Sequence, residues 1–194
     1  MDNNNDDSNF NNANFLSLIE PIKIKPVKVI KAKRPLEFDA IVAAPFGAVG
    51  ISVQGVQVIV ELLSAQHLLK PAEHKIVAKV AMQIEAYFVN PHNDFNLPLI
   101  YKGTPFQRRV WQAISAISCG QVRTYGEIAA QIGSGARAVA NACGANHLPL
   151  IIPCHRVVAK KGLGGFMQGN KDGLTIKRWL LQHEGVETNA VLKD

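Results

Sequence analysis

The stretch TYGEIAAQIGSGARAVANAC, Thr124 to Cys143, contains a complete helix-turn-helix pattern. Its first four residues form a capping box, in which Thr124 and Glu127 each satisfy a free backbone amide at a helix start. A short helix is therefore predicted to run to Ile132. The residues GSG at 133–135 predict the turn, and ARAVANAC opens the second helix. Many helix pairs share this pattern, so by itself it does not specify DNA binding.

The second helix of the pair carries unusually small side chains. Apart from Arg137 and Asn141, its residues and those that follow are small: Ala136, Ala138, Ala140, Ala142, Gly144 and Ala145. Such a surface lets another backbone approach closely. The partner is either the protein's own core or a nucleic-acid groove, and composition alone favours the core.

The residues before this pair predict a β-rich lobe. From Phe38 onward, the segments FDAIVAA, AVGISVQ and VQVIVELL have the composition of short strands separated by turn residues. Residues 72–89 predict a helix, because apolar residues recur along one face at helical spacing. Residues 90–103 contain two prolines and a glycine and are predicted to link this lobe to the next.

The second lobe is predicted to be helical. TPFQ at 104–107 is another capping box, with proline at the first helical position, and its helix is predicted to end at Cys119-Gly120. A last helix is predicted from Asp172 to His183, with Gly185 as its cap. The fold class is therefore α+β, a small β-rich N-terminal lobe joined to a helical C-terminal lobe that carries the helix-turn-helix.

Composition narrows the class of protein further. The chain has 194 residues, 47% of them hydrophobic, which is enough for a real core. No apolar run reaches the length of a membrane span, and the polar N-terminus is not a signal peptide, so an intracellular protein is expected. Three cysteines, Cys119, Cys143 and Cys154, are too few and odd in number for a disulfide framework or a four-cysteine zinc site.

The charge of the chain is modest and uneven. The net charge of +6 favours a polyanionic partner without proving one. Residues 1–35 are predicted to be a disordered tail, and its segment PIKIKPVKVIKAKRP carries six lysines and arginines. This segment is either a basic arm on nucleic acid or a solvated linker, and the linker interpretation is favoured.

The stretch IPCHRVV places a cysteine between a proline and two basic residues. A cysteine attacks as its thiolate, so it needs a base or a cation nearby. His155 is a candidate base, and either Glu127 or Glu184 could orient its imidazole. The alternative is a structural cysteine, Cys154, buried at the end of a strand LPLII.

A series of motifs resembles the O6-alkylguanine-DNA alkyltransferases, also called methylated-DNA–protein-cysteine methyltransferases. The motifs are GTPFQRRVW, TYGEIAAQIG, ARAVANACGANHLPLIIPCHRVV, GGF and WLLQHEG, in that order from Gly103. The resemblance extends from about Phe38 to Gly185. It implies repair of O6-alkylguanine in DNA, and with lower efficiency of O4-alkylthymine, by irreversible transfer of the alkyl group to the protein's own cysteine. Each molecule would act once, without a cofactor.

The resemblance assigns a role to each site residue. The implied acceptor is Cys154, the implied base is His155 acting through a water, and Glu184 rather than Glu127 completes the relay. Asn146 is implied to stabilise the turn before the acceptor, and Tyr125 to donate a proton to the departing guanine and to press on the DNA phosphate. The expected pocket residues are Val157, Phe166, Met167 and Tyr125, and the backbone carbonyls of Cys154 and Val157 are implied to accept from the exocyclic amine of guanine.

The implied partner is double-stranded DNA, bound in its minor groove by a monomer. The O6 atom is inaccessible inside a duplex, so the nucleotide must leave the stack. Arg137 is implied to fill the gap, and the small residues of the second helix then suit a groove only about 6 Å wide. The expected DNA-binding residues are Arg137, Tyr125, Thr124, Ala136, Ala138, Ala140 and Asn141.

The chain departs from this family at several positions. Some relatives bind a structural zinc in the N-terminal lobe, but no cysteine precedes Cys119 here, so no zinc is expected. Phe166 stands where tyrosine is frequent. Met167 and Gln168 stand where smaller residues are common, which predicts a narrower pocket and puts activity on bulky groups such as benzyl in doubt.

The expected organisation is a tail at 1–35, an N-terminal lobe at 36–95, an alkyltransferase domain at 103–187 and a short tail at 188–194. The expected location is the cytoplasm with the nucleoid, or the nucleus in a eukaryote. Two rival functions stay open at this point. One is a non-catalytic protein that binds alkylated DNA and flags it, and the other is a cysteine hydrolase that uses Cys154, His155 and Glu184.

Overall fold

Short apolar segments build a three-stranded antiparallel sheet in the computed structural model, which describes residues 37–65, 67–98 and 102–187. The strands are β1 (Ala40–Ala44), β2 (Gly47–Gln54) and β3 (Gln57–Leu63), in the order β1-β2-β3. Val49 of β2 pairs with Val42 on one side and with Leu62 on the other. The three predicted strands are thereby confirmed, while the predicted tails at 1–35 and 188–194 lie outside the described residues.

One helix, α1 (Lys75–Val89), covers the sheet. It begins three residues later than predicted, because the His74 ring accepts a hydrogen bond from the Ile76 amide (3.3 Å) and caps the helix there. Its buried face includes Val77, Val80 and Ile84, and it ends in an aromatic pair, Tyr87 and Phe88. The apolar side chains of this face join those of the sheet in one hydrophobic core, which continues into the second lobe.

The C-terminal lobe contains four α-helices within residues 102–187. They are α2 (Pro105–Ser115), α3 (Tyr125–Ile132), α4 (Ala136–Gly144) and α5 (Gly173–His183). Both predicted capping boxes are formed, at Thr104 and at Thr124. The predicted end of α2 at Cys119-Gly120 was wrong, because the helix closes at Ser115 and Gly120, at φ +77°, belongs to the turn that follows.

Helices α3 and α4 form the predicted helix-turn-helix. Gly133 ends α3 in the left-handed conformation (φ +66°), which a residue without Cβ adopts freely. Val139 and Ala142 of α4 are buried, and the Trp111 indole of α2 donates to the Ala142 carbonyl at 2.9 Å. This contact anchors the inner side of α4 and leaves its outer side facing solvent.

The segment LPLII is not a strand. It consists of turns, with Leu150 at φ +73° and the Ile152 amide donating to the Leu148 carbonyl at 2.8 Å. A single 3-10 turn, Cys154–Arg156, follows it and leads into β5 (Val157–Val158). Strand β5 pairs in parallel with β4 (Arg123–Thr124), so the residues after Cys154 lie beside the start of α3.

The two lobes meet at the site. The Val60 amide of β3 donates to the His147 carbonyl at 2.9 Å, and Tyr87 of α1 reaches Glu184 at the end of α5. The longest described helix has 15 residues, and no helix in these ranges combines the length and hydropathy needed to cross a membrane.

Candidate active site and DNA-binding face

Cys154 lies at the bottom of the site, with 8% of its surface exposed. The Asn146 side-chain amide donates to its sulfur at 3.2 Å and to the Ile152 carbonyl at 2.9 Å. Burial raises the pKa of the Cys154 thiol, and the Asn146 hydrogen bond and the nearby Lys177 offset only part of that. The resting cysteine is therefore a protonated thiol that needs a base at the moment of reaction.

His155 and Glu184 form a buried pair behind the cysteine. The His155 Nε2 atom lies 2.7 Å from Glu184 Oε1, and neither side chain is exposed. Burial lowers the pKa of His155, while the bond to Glu184 works in the opposite direction, so the imidazole is neutral at physiological pH. An ionised carboxylate only accepts, so Nε2 carries the hydrogen and Nδ1 keeps its lone pair.

The Nδ1 atom of His155 is buried and has no hydrogen-bond partner among the described protein atoms. Glu127, the other carboxylate that the sequence offered, hydrogen-bonds to the Thr124 amide at 2.6 Å in the α3 capping box. The structure therefore pairs His155 with Glu184 and leaves a lone pair available on Nδ1 of His155.

Arg156 and Tyr87 complete the surroundings of Glu184. The Arg156 guanidinium donates Nε to Oε2 (2.8 Å) and Nη2 to Oε1 (2.9 Å), and a further nitrogen donates to the Ile117 carbonyl. The Tyr87 hydroxyl donates to Oε1 at 2.8 Å. Burial raises the pKa of Glu184, but hydrogen bonds and charges from His155 and Arg156 outweigh it and hold that pKa well below the usual range.

Lys177 is a functional candidate that the sequence analysis missed. It sits on α5 with no exposed surface, and its ammonium donates to the carbonyls of Val157 (2.6 Å) and Gly165 (3.2 Å). Burial lowers its pKa to about 8. A buried cation near Cys154 favours the thiolate form of that cysteine. The one sequence signal for this role is the position of Lys177 on the buried face of α5, next to Ile176.

Tyr125 begins α3 and packs against the loop that contains Gly164 and Gly165. Its hydroxyl donates to the Gly165 carbonyl at 3.3 Å, and burial raises its pKa to about 12, so it holds its proton. A Cβ on Gly164 would lie 2.8 Å from the Tyr125 ring, and Gly164 itself adopts φ +68°. Only glycine allows the loop to pass this close to the tyrosine.

A cavity of about 230 Å³ opens next to the thiol. It is lined by residues of both lobes, including Val60 of β3, Asn146, Pro149, Cys154, Phe166 and Met167. Val157 is fully buried and, like Tyr125, is absent from this lining, so only Phe166 and Met167 of the four predicted pocket residues line the cavity. Cys143 also lines the cavity, and burial raises its pKa to about 12, so its thiol stays protonated at physiological pH.

The outer side of α4 is a second distinct surface. Ala136, Arg137 and Asn141 are exposed, and Ala138 and Ala140 are half-buried. No hydrogen bond or ion pair to the Arg137 side chain occurs among residues 37–65, 67–98 and 102–187. Thr124 lies at the adjacent start of α3, where its hydroxyl both accepts from the Glu127 amide (3.1 Å) and donates to the Glu127 carboxylate (2.8 Å).

A model of the 6-O-methylguanine DNA methyltransferase DNA-binding domain matches residues 105–186. Among named relatives, the probable methylated-DNA–protein-cysteine methyltransferase of Acanthamoeba polyphaga mimivirus is 49% identical over 108 residues, which are 54% of this chain and 70% of that protein. The constitutive Bacillus subtilis enzyme is 42% identical over 59% of this chain and 71% of its own length. The Salmonella typhimurium methyltransferase is 54% identical over 43% of this chain, and the match covers 48% of that protein, which is about half of its length.

Solved structures agree with the sequence matches. The Mycobacterium tuberculosis O6-methylguanine methyltransferase superimposes with a TM-score of 0.62 at 33% identity, covering 74% of this chain and 90% of its own. The complex of the mycobacterial protein with DNA gives 0.63 at 32% identity, with 79% and 98% covered. The α+β architecture described above is thus shared with these proteins.

Proposed function

The chain belongs to the 6-O-methylguanine DNA methyltransferase family and repairs DNA by transferring an alkyl group to a cysteine, and we propose that this cysteine is Cys154. The observation that carries the assignment is the arrangement behind the sulfur. Cys154 is followed by a neutral histidine whose Nε2 is held by an ionised carboxylate 2.7 Å away, which leaves Nδ1 free to accept a proton.

The proposed reaction is a single displacement at carbon. His155 Nδ1 takes the thiol proton through a bridging water, and the sulfur of Cys154 attacks the alkyl carbon of O6-alkylguanine. The S–C bond forms as the C–O bond breaks, and the electron pair of that bond passes to the purine. Glu184 stabilises the imidazolium without taking the proton, because its four hydrogen bonds hold it in the ionised form.

Tyr125 and two backbone carbonyls are proposed to interact with the leaving purine. The Tyr125 hydroxyl is protonated and bonded to the Gly165 carbonyl, next to Phe166 of the cavity lining, so we assign it the proton that neutralises the departing guanine. The carbonyls of Cys154 and Val157 are proposed to accept from the exocyclic amine. Lys177 already donates to the Val157 carbonyl, so this acceptor is fixed in place before the base enters.

DNA binds, in this proposal, through its minor groove on the outer side of α4. A helix lined with alanine and glycine suits a groove about 6 Å wide. The target nucleotide leaves the stack at a cost of a few kcal/mol, and Arg137 inserts into the gap and offsets part of that cost. Action as a monomer is part of the same proposal.

The deciding experiment follows the alkyl group. Duplex DNA carrying a radiolabelled O6-methylguanine is incubated with excess protein, and the label is expected on the peptide that contains Cys154, at up to one equivalent per chain. Cys154→Ala should abolish the transfer, whereas the matched change Cys119→Ala should not. Label on another peptide would contradict the site assignment.

The same experiment separates the rival functions. A protein that only flags damage would bind the duplex and leave the label on the DNA at every protein excess. A cysteine hydrolase would release label into solution and turn over many times. A reaction that stops after one equivalent is consistent only with a stable thioether on the protein.

A further inference from the structure

Tyr87 brings a side chain of the N-terminal lobe to the buried pair of His155 and Glu184. It lies near the end of α1 with 1% of its surface exposed, and its hydroxyl donates to Glu184 Oε1 at 2.8 Å. The two residues are 97 positions apart in the chain. The motifs that carry the family resemblance begin at Gly103, so they assign Tyr87 no role.

A cluster of rings fixes the direction of the Tyr87 side chain. Its ring packs edge-on against His183, with centroids 5.4 Å apart, and packs at a tilt against Phe88 (5.7 Å) and Phe95 (5.8 Å). His183 also donates from Nε2 to the Tyr87 carbonyl at 2.9 Å. The residue next to Glu184 thus holds both the ring and the backbone of Tyr87, and the hydroxyl stays directed at the carboxylate.

The Oε1 atom of Glu184 is shared among three donors. It accepts from the His155 Nε2 at 2.7 Å, the Tyr87 hydroxyl at 2.8 Å and the Arg156 Nη2 at 2.9 Å. Burial, together with the charge of Glu184, raises the pKa of Tyr87 well above its usual range, so the phenol keeps its proton and donates throughout. A hydrogen bond to a carboxylate lowers the affinity of that carboxylate for positive charge. The hydroxyl therefore weakens the attraction between Glu184 and a protonated His155.

Other charged and titratable groups also face this pair. Burial lowers the pKa of His155, and the charges of Arg156 and Lys177 lower it further, against the effect of the carboxylate, which raises it. Cys119, in the turn after α2, interacts electrostatically with Tyr87. Tyr87 differs from the two cations because it is uncharged and reaches His155 only through the carboxylate oxygen that they share.

We propose that Tyr87 is a positioning residue for the buried pair, which holds Glu184 Oε1 against His155 Nε2 and limits the negative charge that this oxygen offers to the imidazole. His155 thereby stays neutral, and able to take the thiol proton of Cys154, at lower pH than it would beside an unshared carboxylate. The N-terminal lobe in this way takes part in the chemistry of the C-terminal lobe. The inference rests on the proposed function, because it requires His155 to act as the base.

The test is the pH dependence of methyl transfer from O6-methylguanine in duplex DNA, measured as single-turnover rate constants with excess protein from about pH 5 to about pH 9. The rate should fall on the acid side as His155 becomes protonated. Tyr87→Phe removes the hydroxyl and keeps the ring, so this acid limb should move to higher pH by up to about one unit, while the plateau at higher pH is retained. Titration of the His155 ring signals by NMR in the DNA-free protein should show the same shift.

A second variant changes the strength of the donor in the opposite direction. In 3-fluorotyrosine, placed site-specifically at position 87, the fluorine makes the phenol a stronger donor and nearly keeps its shape. Glu184 then offers less charge to His155, and the acid limb should move to lower pH. Because this side chain is close in size to tyrosine, the test does not depend on whether Tyr87→Phe folds.

Phe95→Leu is the matched control for packing. It removes a ring that packs against Tyr87 and leaves the bond between the hydroxyl and the carboxylate in place. It should lower the midpoint of urea unfolding, as Tyr87→Phe does, and leave the acid limb at its original pH. An equal shift of the limb in Phe95→Leu and Tyr87→Phe would show that packing of the ring, rather than its hydroxyl, is responsible, and would overturn the inference.

Two further results would contradict the role of Tyr87. One is an acid limb that stays in place in both variants at position 87, which would mean that the hydroxyl has no influence on the base. The other is a limb that moves to lower pH in Tyr87→Phe, because the hydroxyl would then strengthen the hold of Glu184 on the imidazolium. Failure of the unaltered chain to transfer methyl at any pH would instead contradict the proposed function, and the role of Tyr87 would fall with it.

Discussion

The relay behind Cys154 and the outer side of α4 are built in opposite ways. In the relay, which comprises His155, Arg156, Glu184 and Tyr87, the Glu184 carboxylate receives four hydrogen bonds and is almost fully buried. On α4, the exposed residues are small or, like Arg137, have a side chain that makes no hydrogen bond or ion pair within the described residues. The hydrogen bonds of the relay are formed within the chain, whereas the α4 surface, in the function proposed above, meets its partner only when DNA binds.

This difference predicts different consequences of mutation. A buried hydrogen-bonded network contributes to folding as well as to chemistry, because removing one member leaves its partners unpaired in a low-dielectric interior. An exposed surface without partners contributes little to folding. Substitutions in the relay should therefore lower both stability and activity, and substitutions on α4 should lower activity on DNA alone.

The largest effect is expected for Glu184→Gln. It leaves the Arg156 charge without a carboxylate partner, and breaking such a buried pair costs about 3–5 kcal/mol in the free energy of unfolding. Alkyl transfer should fall with it, because His155 loses the group that stabilises its imidazolium. Urea denaturation at pH 7 and single-turnover kinetics on the same preparations measure the two losses.

The deficit of Glu184→Gln should depend on pH. The pKa of Glu184 is depressed in the fold, so its contribution is fully present above the unfolded pKa of about 4.3 and is lost as the pH falls further. The two proteins should thus converge in stability toward strongly acidic pH. The matched control is Glu127→Gln in the exposed capping box, where the loss should be about 1 kcal/mol or less. Equal losses at both positions would remove the distinction between relay and surface.

A smaller effect is expected for Lys177→Met, which tests the buried cation of the site. Burial lowers the pKa of Lys177 to about 8. The charged form therefore opposes folding below that pH, and the unaltered protein should gain stability over the variant as the pH rises from 8 toward the unfolded pKa of about 10.4. The gain is at most about 3 kcal/mol, since one pKa unit corresponds to about 1.4 kcal/mol.

The measurement for Lys177 is the difference between two stability curves over pH 7 to 10.5. Taking the difference removes the titration of groups that Lys177 does not influence, and Cys143 and Cys154, which it does influence, are changed to serine in both proteins. Lys171→Met, at an exposed position, serves as the matched control and should give a flat difference. Parallel curves for Lys177→Met would mean that this ammonium is not destabilised by burial.

The sequence predicted the α4 surface better than the relay. Local rules decide the helix-turn-helix: both capping boxes and the glycine turn act within a few residues, so Thr124, Glu127 and Gly133 could be placed from the sequence alone. The relay is non-local. Arg156 has its partners at Ile117 and Glu184, and the Tyr87–Glu184 bond joins residues 97 positions apart, which no periodicity reveals.

The errors of prediction have the same origin. LPLII has the composition of a buried strand, yet the Asn146 side chain bonds to the backbone at Leu148 and Ile152 and folds the segment into turns. The charge of Lys177 suggests an exposed position, but the Val157 and Gly165 carbonyls meet its ammonium inside the fold. In each case a tertiary hydrogen bond overrides the local preference, and the residues concerned belong to the site.

Arg137→Ala is expected to have the smallest effect on stability and the clearest effect on the rate of reaction with duplex DNA. Its side chain is exposed, so the free energy of unfolding should change by no more than about 0.5 kcal/mol. Reaction with a lesion in duplex DNA should slow about 10- to 100-fold, because the arginine no longer offsets part of the unstacking cost of a few kcal/mol. Reaction with free O6-methylguanine base involves no unstacking and should change little.

A duplex in which the lesion faces an abasic site sharpens the test of Arg137. There the target base is not paired, so leaving the stack costs less and Arg137→Ala should lose less activity than on a paired lesion. Arg178→Ala, on the exposed side of α5, removes the same charge and should affect the paired and unpaired substrates alike. If Arg137→Ala also slows both duplexes and the free base equally, the arginine acts within the pocket rather than in the groove, and the α4 surface would then resemble the relay.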